Sequence, residues 1–283
     1  MSDIRADTVR TETVRTDTAR AETLCAETVC TEAVRTESVG GTLVVTIDRP
    51  RVRNAVNAEV ALGIAAAVDR LESDPGLRVG VLTGAGGTFC AGMDLKAAAR
   101  GEQVTVPGKG FAGLAEVPTT KPLIAAVEGH ALGGGFELAL ACDLVVAAEG
   151  ARFAFPEVRR GLIAAGGGVV RLPRRIPHHL AMELLLTGRT ITAERARELG
   201  VVNRLTPDGG ALPAALELAE EIAANAPLAL AAVKRTVRLS DGAPEPEAFA
   251  VQAAEAGALL RSADFAEGVR AFTEKRTSQW SGR

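Results

Sequence analysis

The sequence predicts an α/β fold with a parallel sheet, followed by a helical C-terminal region. Between residues 42 and 148, short β-prone runs alternate with segments whose apolar residues recur at helical spacing. This alternation is typical of parallel strands connected by helices. From about residue 166 onward, the helical spacing prevails. The length of 283 residues and the hydrophobic content of 47% provide enough apolar surface for a sizeable core.

The N-terminal segment has a repeat with a period of five. Residues 6–40 run from ADTVR and TETVR to TESVG. This period matches neither a helix face nor strand alternation, and the small, sparse apolar residues cannot bury much surface. A β-solenoid would need a large central apolar residue in each repeat, and none is present. We therefore predict a mostly disordered tail over residues 1–39 that is dispensable for folding, with a targeting or partner-binding arm as the functional alternative.

The predicted α/β core spans residues 40–205. Its first strand, over residues 42–47, ends before Pro50, and a helix capped by Asn57 runs to about Glu72. Further strands are predicted over 78–83, 123–127, 143–148 and 201–205, and short helices over 180–186 and 192–199. The remaining region, residues 206–283, contains amphipathic helices over 212–224, 227–239, 245–260 and 264–275. We expect these late helices to pack on the core or on a neighbouring subunit.

Composition argues against several classes of protein. The net charge of −3, the 3% aromatic content and the absence of Tyr give no support to nucleic-acid binding. No apolar run approaches the length of a membrane span, and the charged N-terminus lacks the apolar part of a secretory signal. No metal-ligand spacing occurs among the four cysteines, which are Cys25, Cys30, Cys90 and Cys142. The cytoplasm is the expected compartment.

A glycine triplet, Gly133–Gly135, marks the first candidate site. It lies between the β-prone run 122–127 and the helix-favouring run 136–141. Glycines at such a junction let another molecule approach the backbone closely. The following helix begins with unpaired N–H groups and a partial positive charge, which favour binding of an oxyanion. A tight turn without chemistry is the alternative that the residue types leave open.

Two glutamates accompany the triplet. Glu137 follows Gly134 by three residues, so one helical turn brings its carboxylate close to that amide. Glu157 comes twenty residues later, after a strand that could return it to the same end of the sheet. Two carboxylates at one site can share a water or divide acid and base roles. Glu137 could also be no more than a favourable helix-starting residue.

A second Gly-containing junction lies at residues 91–94. Together with residues 133–137, it could direct two backbone N–H groups at one oxygen, which would stabilise an enolate formed from a thioester. The nucleotide and hydrolase motifs GxGxxG, GxxxxGK[ST], GxSxG and HExxH do not occur. The three histidines form no catalytic constellation, and we assign no chemistry to them.

These residues resemble the enoyl-CoA hydratase/isomerase, or crotonase, family over about residues 41–280. The resemblance rests on ordered motifs along the chain: Arg49-Pro50, Asn54-Ala55, Gly84–Leu95, Ala131–Glu137, Cys142-Asp143, Pro156-Glu157, Gly161-Leu162, Leu186–Gly188, Glu267-Gly268 and Phe272–Arg276. It implies a crotonase-like ββα spiral core with a C-terminal helical oligomerisation region. It also implies a homotrimer or a dimer of trimers.

The resemblance assigns roles to particular residues. The backbone N–H groups of Met93 and Gly134 would form the oxyanion hole for an acyl-thioester oxygen. The residues implied to bind the coenzyme A (CoA) or acyl part are Arg53, Ala55, Ala91, Gly92, Asp94, Leu95, Gly133, Pro156, Phe272 and Lys275. Phe272 and Lys275 could act across a subunit interface. Arg53 and Met93 depart from the family, which often has an apolar residue and a smaller residue there.

Glu137 and Glu157 match the two acidic positions of the family's hydratases. The resemblance therefore implies addition of water to a 2-trans-enoyl-CoA, with Glu137 orienting the water and Glu157 supplying or receiving the proton at the α-carbon. It implies no metal or separate cofactor, because CoA is part of the substrate. The alternatives are an isomerase, a specialised hydroxyacyl-CoA dehydratase, and a non-catalytic acyl-CoA-binding protein. The last would predict a degraded glutamate pair or a broken triplet, and neither is seen.

Overall fold

A six-stranded sheet forms the centre of the protein in the computed structural model, which describes residues 32–283. The strands are β1 (Val34–Val39), β2 (Thr42–Ile47), β3 (Val79–Gly84), β4 (Thr105–Val106), β5 (Gly110–Phe111), β6 (Leu123–Val127), β7 (His130–Leu132), β8 (Leu144–Ala148), β9 (Arg152–Ala154), β10 (Ile191–Thr192) and β11 (Arg204–Thr206). The central sheet has the order β1-β2-β3-β6-β8-β11. Only the β1–β2 pair in it is antiparallel. The predicted α/β class with parallel strands is confirmed.

The helices follow the predicted alternation closely. They are α1 (Ala58–Ser73), α2 (Leu95–Ala99), α3 (Gly134–Ala141), α4 (Gly168–Arg175), α5 (His178–Thr187), α6 (Ala193–Glu198), α7 (Ala211–Ala223), α8 (Pro227–Ser240), α9 (Glu245–Leu259) and α10 (Ala263–Glu274). Asn57 caps α1 as predicted, because its side chain accepts a hydrogen bond from the Val60 N–H. Helix α4 was not predicted, since Pro173 lies inside it.

The N-terminal boundary of the predicted core is wrong. The prediction placed residues 1–39 in a disordered tail, but β1 occupies Val34–Val39 and pairs along its whole length with β2. The side chain of Val34 is buried. The pentapeptide period concealed the strand because its outward residues are polar and exposed, as suits an edge strand. Residues 1–31 of the predicted tail lie outside the described residues.

The two faces of the central sheet are covered by different helices. On one face, Val79, Val81, Ile124, Ala126 and Val146 pack against a stripe of small residues on α7. The stripe consists of Ala211, Ala215 and Ala219. On the other face, alternate strand residues join a larger core that includes residues of α1 and α3. The alternation along each strand therefore separates two apolar layers, as a sheet buried on both faces requires.

A small second sheet carries the loops of the candidate site. It has the order β10-β9-β7, in which β7 and β9 are parallel and pair Leu132 with Ala154. The sequence did not predict β7, because its three residues follow β6 after a single turn. The glycine triplet therefore follows β7, and not the run 122–127. Among residues 32–283, no helix is long and apolar enough to cross a membrane.

Candidate active site

The two glutamates meet because they follow neighbouring parallel strands. Gly133 comes directly after β7, and its N–H donates to the Ala154 carbonyl of β9 at 2.8 Å. Beyond β9, a short 3₁₀ helix over Pro156–Arg160 carries Glu157. Because parallel strands end at the same edge of a sheet, α3 with Glu137 and the 3₁₀ helix with Glu157 start side by side. The predicted return of Glu157 to this edge is confirmed, with β9 as the strand that carries it.

Aromatic packing holds α3 against the strand that leads to Glu157. The Phe136 ring stacks on Phe155, with ring centroids 4.6 Å apart, and lies 5.2 Å from the Phe153 ring. All three rings are buried. Such stacked and tilted pairs add to the stability gained from burial. The residues next to both glutamates are therefore anchored in one aromatic cluster.

The second Gly-containing junction runs alongside β7. The Cys90 N–H donates to the His130 carbonyl, and the Leu132 N–H donates to the Cys90 carbonyl. Farther along, the Val56 N–H donates to the Gly92 carbonyl. The segment 90–93 is thereby held between β7 and Val56. This arrangement brings the two junctions together, as predicted.

The amides of Met93 and Gly134 are available for an external acceptor. Within the described residues, neither N–H donates to a protein acceptor. Gly92 has a φ of 90°, and a Cβ built there would lie 3.0 Å from the Gly134 nitrogen and 2.7 Å from the Leu132 carbonyl oxygen. Glycine at this position therefore allows the close approach of the two segments. Two unpaired amides this close suit an oxyanion hole.

Glu137 is almost completely buried, and its carboxyl group accepts a backbone hydrogen bond from the start of α4. Its Oε1 accepts from the Gly168 N–H at 2.9 Å. Gly168 begins α4, so its N–H has no acceptor inside that helix. Burial, and to a smaller extent the nearby Glu157 charge, raise the pKa of Glu137 to about 7 against the opposing effect of the Gly168 hydrogen bond. This carboxyl can therefore exchange a proton near neutral pH.

Glu157 faces the triplet with an incompletely satisfied carboxylate. A Cβ built on Gly133, whose φ is 54°, would lie 2.8 Å from Glu157 Oε1. The other oxygen, Oε2, is buried and has no hydrogen-bond partner within the described part of the chain. Burial raises the pKa of Glu157. A buried carboxylate oxygen without a partner is costly, and is best explained by a ligand that satisfies it.

The two carboxyl groups and the two amides can therefore act together. Both glutamates have a raised pKa through burial, and the Glu157 charge also makes Glu137 harder to ionise. Such a pair can hold a water and carry one proton to or from a carbon. The amides can stabilise negative charge on an adjacent oxygen. Together, the carboxyl groups and the amides are suited to acid–base chemistry at a carbon next to a carbonyl group.

Several residues that are predicted to contact CoA also stabilise the local structure of the chain. The Asp94 carboxylate caps α2 by accepting from the Lys96 and Ala97 N–H groups, and it also pairs with Arg49 at 3.2 Å. The Arg53 carbonyl accepts from the Ala91 N–H, which ties two predicted groove residues together. These contacts shape the surface next to Met93. A role of these residues in CoA binding stays a prediction.

The remaining predicted binding residues differ in exposure. Ala55 is buried, Pro156 is half-buried, and Leu95 is exposed near the α2 N-terminus. Phe272 on α10 is 87% exposed, and Lys275 after that helix is also exposed. This exposure is compatible with the predicted contact across a subunit interface, which stays a prediction.

Sequence reasoning missed two contributors to the site, and it named a third, Asn54, only as part of a family motif and without a role. The Gly166–Gly168 segment surrounds the Glu137 carboxyl, and a Cβ at Gly166 would lie 2.6 Å from Glu137 Oε2. The Phe111 ring covers Gly134, where a Cβ would lie 2.4 Å from the ring. Asn54 is buried and its Nδ2 donates to the Ala85 and Thr88 carbonyls, which fixes the loop before Met93. Of the two contributors that were missed, only the run of three glycines at 166–168 is a signal visible in the sequence.

Comparison with known proteins identifies the class to which this fold and site belong. The Enoyl-CoA hydratase/isomerase family matches residues 37–283. The chain therefore belongs to this family and has the crotonase fold, as the resemblance implied. Its enzyme class is that of the enoyl-CoA hydratases, which are carbon–oxygen lyases.

Individual relatives are similar over nearly the whole chain. The crystal structure of an enoyl-CoA hydratase from Mycobacterium tuberculosis H37Rv is 55% identical, with a TM-score of 0.87 over 89% of this chain and 99% of that one. Enoyl-CoA hydratase EchA19 of M. tuberculosis is 46% identical over 86% of this chain and 94% of its own length. A carnitinyl-CoA dehydratase of Salmonella typhimurium is 44% identical over 86% of this chain and 96% of its own length.

Proposed function

We propose that this protein adds water to the C2–C3 double bond of 2-trans-enoyl-CoA thioesters. The observation that carries this proposal is the buried Glu137 and the buried, unpartnered Oε2 of Glu157 beside two unpaired backbone amides. A hydratase needs a group that holds water, a group that exchanges a proton with C2, and donors for the enolate oxygen. In this proposal, Glu137, Glu157 and the two amides at the shared edge of β7 and β9 supply these three functions.

The reaction follows from the charges at the site. The thioester oxygen accepts hydrogen bonds from the Met93 and Gly134 N–H groups. Water held by Glu137 and Glu157 bonds to C3, while the π electrons move toward the thioester oxygen. Glu137 takes the water proton and Glu157 gives a proton to C2, so the pair keeps the same total of protons. The amides bind the enolate more strongly than the neutral thioester, which lowers the barrier.

The Glu157→Gln variant tests the proposal directly. We expect hydration of crotonyl-CoA, followed as loss of absorbance of the conjugated thioester, to fall by several orders of magnitude. CoA-ester binding should remain largely intact, because the amide keeps the size of the carboxyl group. Glu149→Gln, a matched change at an exposed position, should leave turnover unchanged. Near-normal turnover in Glu157→Gln would remove Glu157 from the mechanism.

A second candidate is dehydration of a specialised hydroxyacyl-CoA. The similarity to carnitinyl-CoA dehydratases favours it as the runner-up. Double-bond isomerisation is a third member of the same family of reactions and would need only one glutamate to move a proton. Parallel assays with 2-enoyl-CoA, 3-enoyl-CoA and carnitinyl-CoA would separate the three. Preferred turnover of either of the last two would replace the hydratase proposal.

We also infer that the protein is a homo-oligomer that acts in the cytoplasm. Large apolar side chains on α8–α10 are more than half exposed in the single chain. They are Val233, Val237, Phe249, Val269 and Phe272. Exposed large apolar side chains on three successive helices suit a surface covered by another subunit. The trimer or dimer of trimers implied by the family resemblance is the expected assembly.

A further inference from the structure

Arg171 on α4 contacts the glycine segment that surrounds the Glu137 carboxyl, and the mechanism above does not use it. Its Nη1 donates to the Gly166 carbonyl at 3.3 Å. A Cβ built on Gly167, whose φ is 109°, would lie only 2.0 Å from the same nitrogen. The guanidinium is therefore packed against the backbone of this segment, where glycine leaves room for it.

The same guanidinium also reaches a second loop of the site. Its Nη2 donates to the carbonyl of Ala115, a buried residue. The Ala115 N–H in turn donates to the Phe111 carbonyl at 3.1 Å. The Phe111 ring covers Gly134, whose amide belongs to the proposed oxyanion hole. Arg171 thus joins the segment beside Glu137 to the loop beside Gly134.

The positive charge of Arg171 acts on Glu137 as well. Burial raises the pKa of Glu137, and the nearby guanidinium opposes this rise because it stabilises the ionised carboxylate. Two charged side chains thus act on Glu137 in opposite directions, Glu157 from the 3₁₀ helix and Arg171 from α4. The ionisable groups close to Arg171 itself are Glu137, Glu116, Cys142 and Arg175.

We propose that Arg171 is a positioning residue for hydration, which fixes Glu137 and the Gly134 amide relative to each other through two backbone carbonyls while its charge faces the Glu137 carboxylate. The guanidinium can donate to both carbonyls at once, because its N–H groups form a rigid planar fork. Water held by Glu137 must meet C3 of a substrate whose thioester oxygen is bound by Gly134. A shift between the two loops therefore changes the reacting distance. The inference rests on the proposed function, because the water and the thioester are its reactants.

The first test replaces the guanidinium by a neutral, unbranched side chain. For Arg171→Met, we expect kcat for crotonyl-CoA to fall about 10- to 100-fold and KM to change by less than about threefold, because the substrate still binds but the reacting geometry is lost. Arg174→Met, which removes an exposed guanidinium from the same helix, should keep the wild-type kcat. An unchanged kcat in Arg171→Met, or a rise in KM alone, would overturn the proposal.

The second test separates this role from a merely structural one. The acidic limb of the pH profile of kcat/KM reports the ionisation of Glu137, because the proposed mechanism needs its carboxylate to take the water proton. Arg171→Met should move that limb to higher pH, since the carboxylate loses a stabilising charge. Arg171→Lys keeps the charge but not the fork, so its limb should stay at the wild-type pH while its kcat falls between the other two. The same limb in all three proteins would overturn the proposal.

The outcomes separate this inference from the proposed function. If the wild type hydrates no 2-enoyl-CoA, the proposed function fails. If the wild type hydrates crotonyl-CoA but Arg171→Met matches Arg174→Met in kcat and in pH profile, the positioning role of Arg171 alone is refuted. Circular dichroism identifies a variant that has not folded. Arg171→Lys then decides the result, and a wild-type kcat in it would refute the role of the fork.

Discussion

At the scale of single residues, burial and hydrogen bonding act in opposite directions on the pKa of Glu137. Its burial raises the pKa to about 7, whereas the Gly168 N–H stabilises the ionised form. Between about pH 4.5 and pH 7, the folded chain therefore holds a proton that the unfolded chain has lost. Stability contributed by this group is fully present below that window, and it decreases as pH rises through it. The proposed mechanism explains this cost, because acid–base chemistry near neutral pH needs such a group.

We predict that Glu137→Gln stabilises the fold at high pH while abolishing hydration. Above pH 7 the wild-type carboxylate is ionised in a buried site, and the amide removes that charge. The expected gain in the free energy of unfolding is on the order of 3 kcal/mol at pH 8, as calculated from the raised pKa. Thermal unfolding at pH 5 and pH 8 measures it, with no comparable gain expected at pH 5.

Glu149→Gln provides the matched control for this stability prediction, because Glu149 is exposed. It should change the melting temperature little at either pH. An equal gain for Glu137→Gln at both pH values would show that its charge is not the cause. A loss of stability at pH 8 would contradict the predicted sign.

At the scale of elements, strand β1 shows what local patterns can conceal. Its inward residue Val34 is buried, and Ala33 just before it is also buried. The Arg70 side chain on α1 donates to the hydroxyl groups of Thr36 and Ser38. The strand thus covers the edge of β2 and joins the sheet to α1. Without it, β2 would become an exposed apolar edge.

We predict that a chain starting at residue 32 folds like the full-length chain, whereas one starting at residue 40 is weakened. The shorter chain loses β1 together with the burial of Ala33 and Val34. We expect its free energy of unfolding to fall by on the order of 2–4 kcal/mol. Urea denaturation of the three chains measures the difference. Equal midpoints for all three would mean that β1 contributes nothing to stability.

At the scale of the whole molecule, the C-terminal helices leave apolar surface uncovered. Val233 and Val237 are one helical turn apart on α8 and are 61% and 67% exposed. The C-terminal segment itself returns to the end of α7, where the Trp280 Nε1–H donates to the Ala224 carbonyl at 2.7 Å. The exposed stripe on α8 is thus available to another subunit.

We predict that Val237→Asp disrupts the oligomer. A carboxylate in the centre of an apolar subunit contact would be desolvated without a partner. Light scattering should show the wild type at a multiple of 29.2 kDa and the variant shifted toward the single-chain mass. Leu62→Asp, at a comparably exposed position on α1, should keep the wild-type mass. A wild type that is monomeric at micromolar concentration would refute the inferred assembly.

The sequence by itself determined the class of fold and the chemical groups of the site. Strand and helix periodicity gave the parallel α/β order, because each element's buried face is encoded in its own residues. The two Gly-containing junctions and the two glutamates could be picked out because glycines and acidic residues next to predicted strands and helices are informative by residue type. Asn57 was recognised as a helix cap for the same reason.

Only the tertiary structure decided how these groups meet. That Glu157 follows β9, and that β9 lies parallel to β7, depends on strand pairing between residues far apart in the chain. The bond from Gly168 to Glu137 spans 31 residues, and no local pattern specifies it. Strand β1 was missed because its pairing with β2, and not its own composition, makes it a strand. Periodicity indicates which face of an element is buried, but the packing partner is chosen by the fold as a whole.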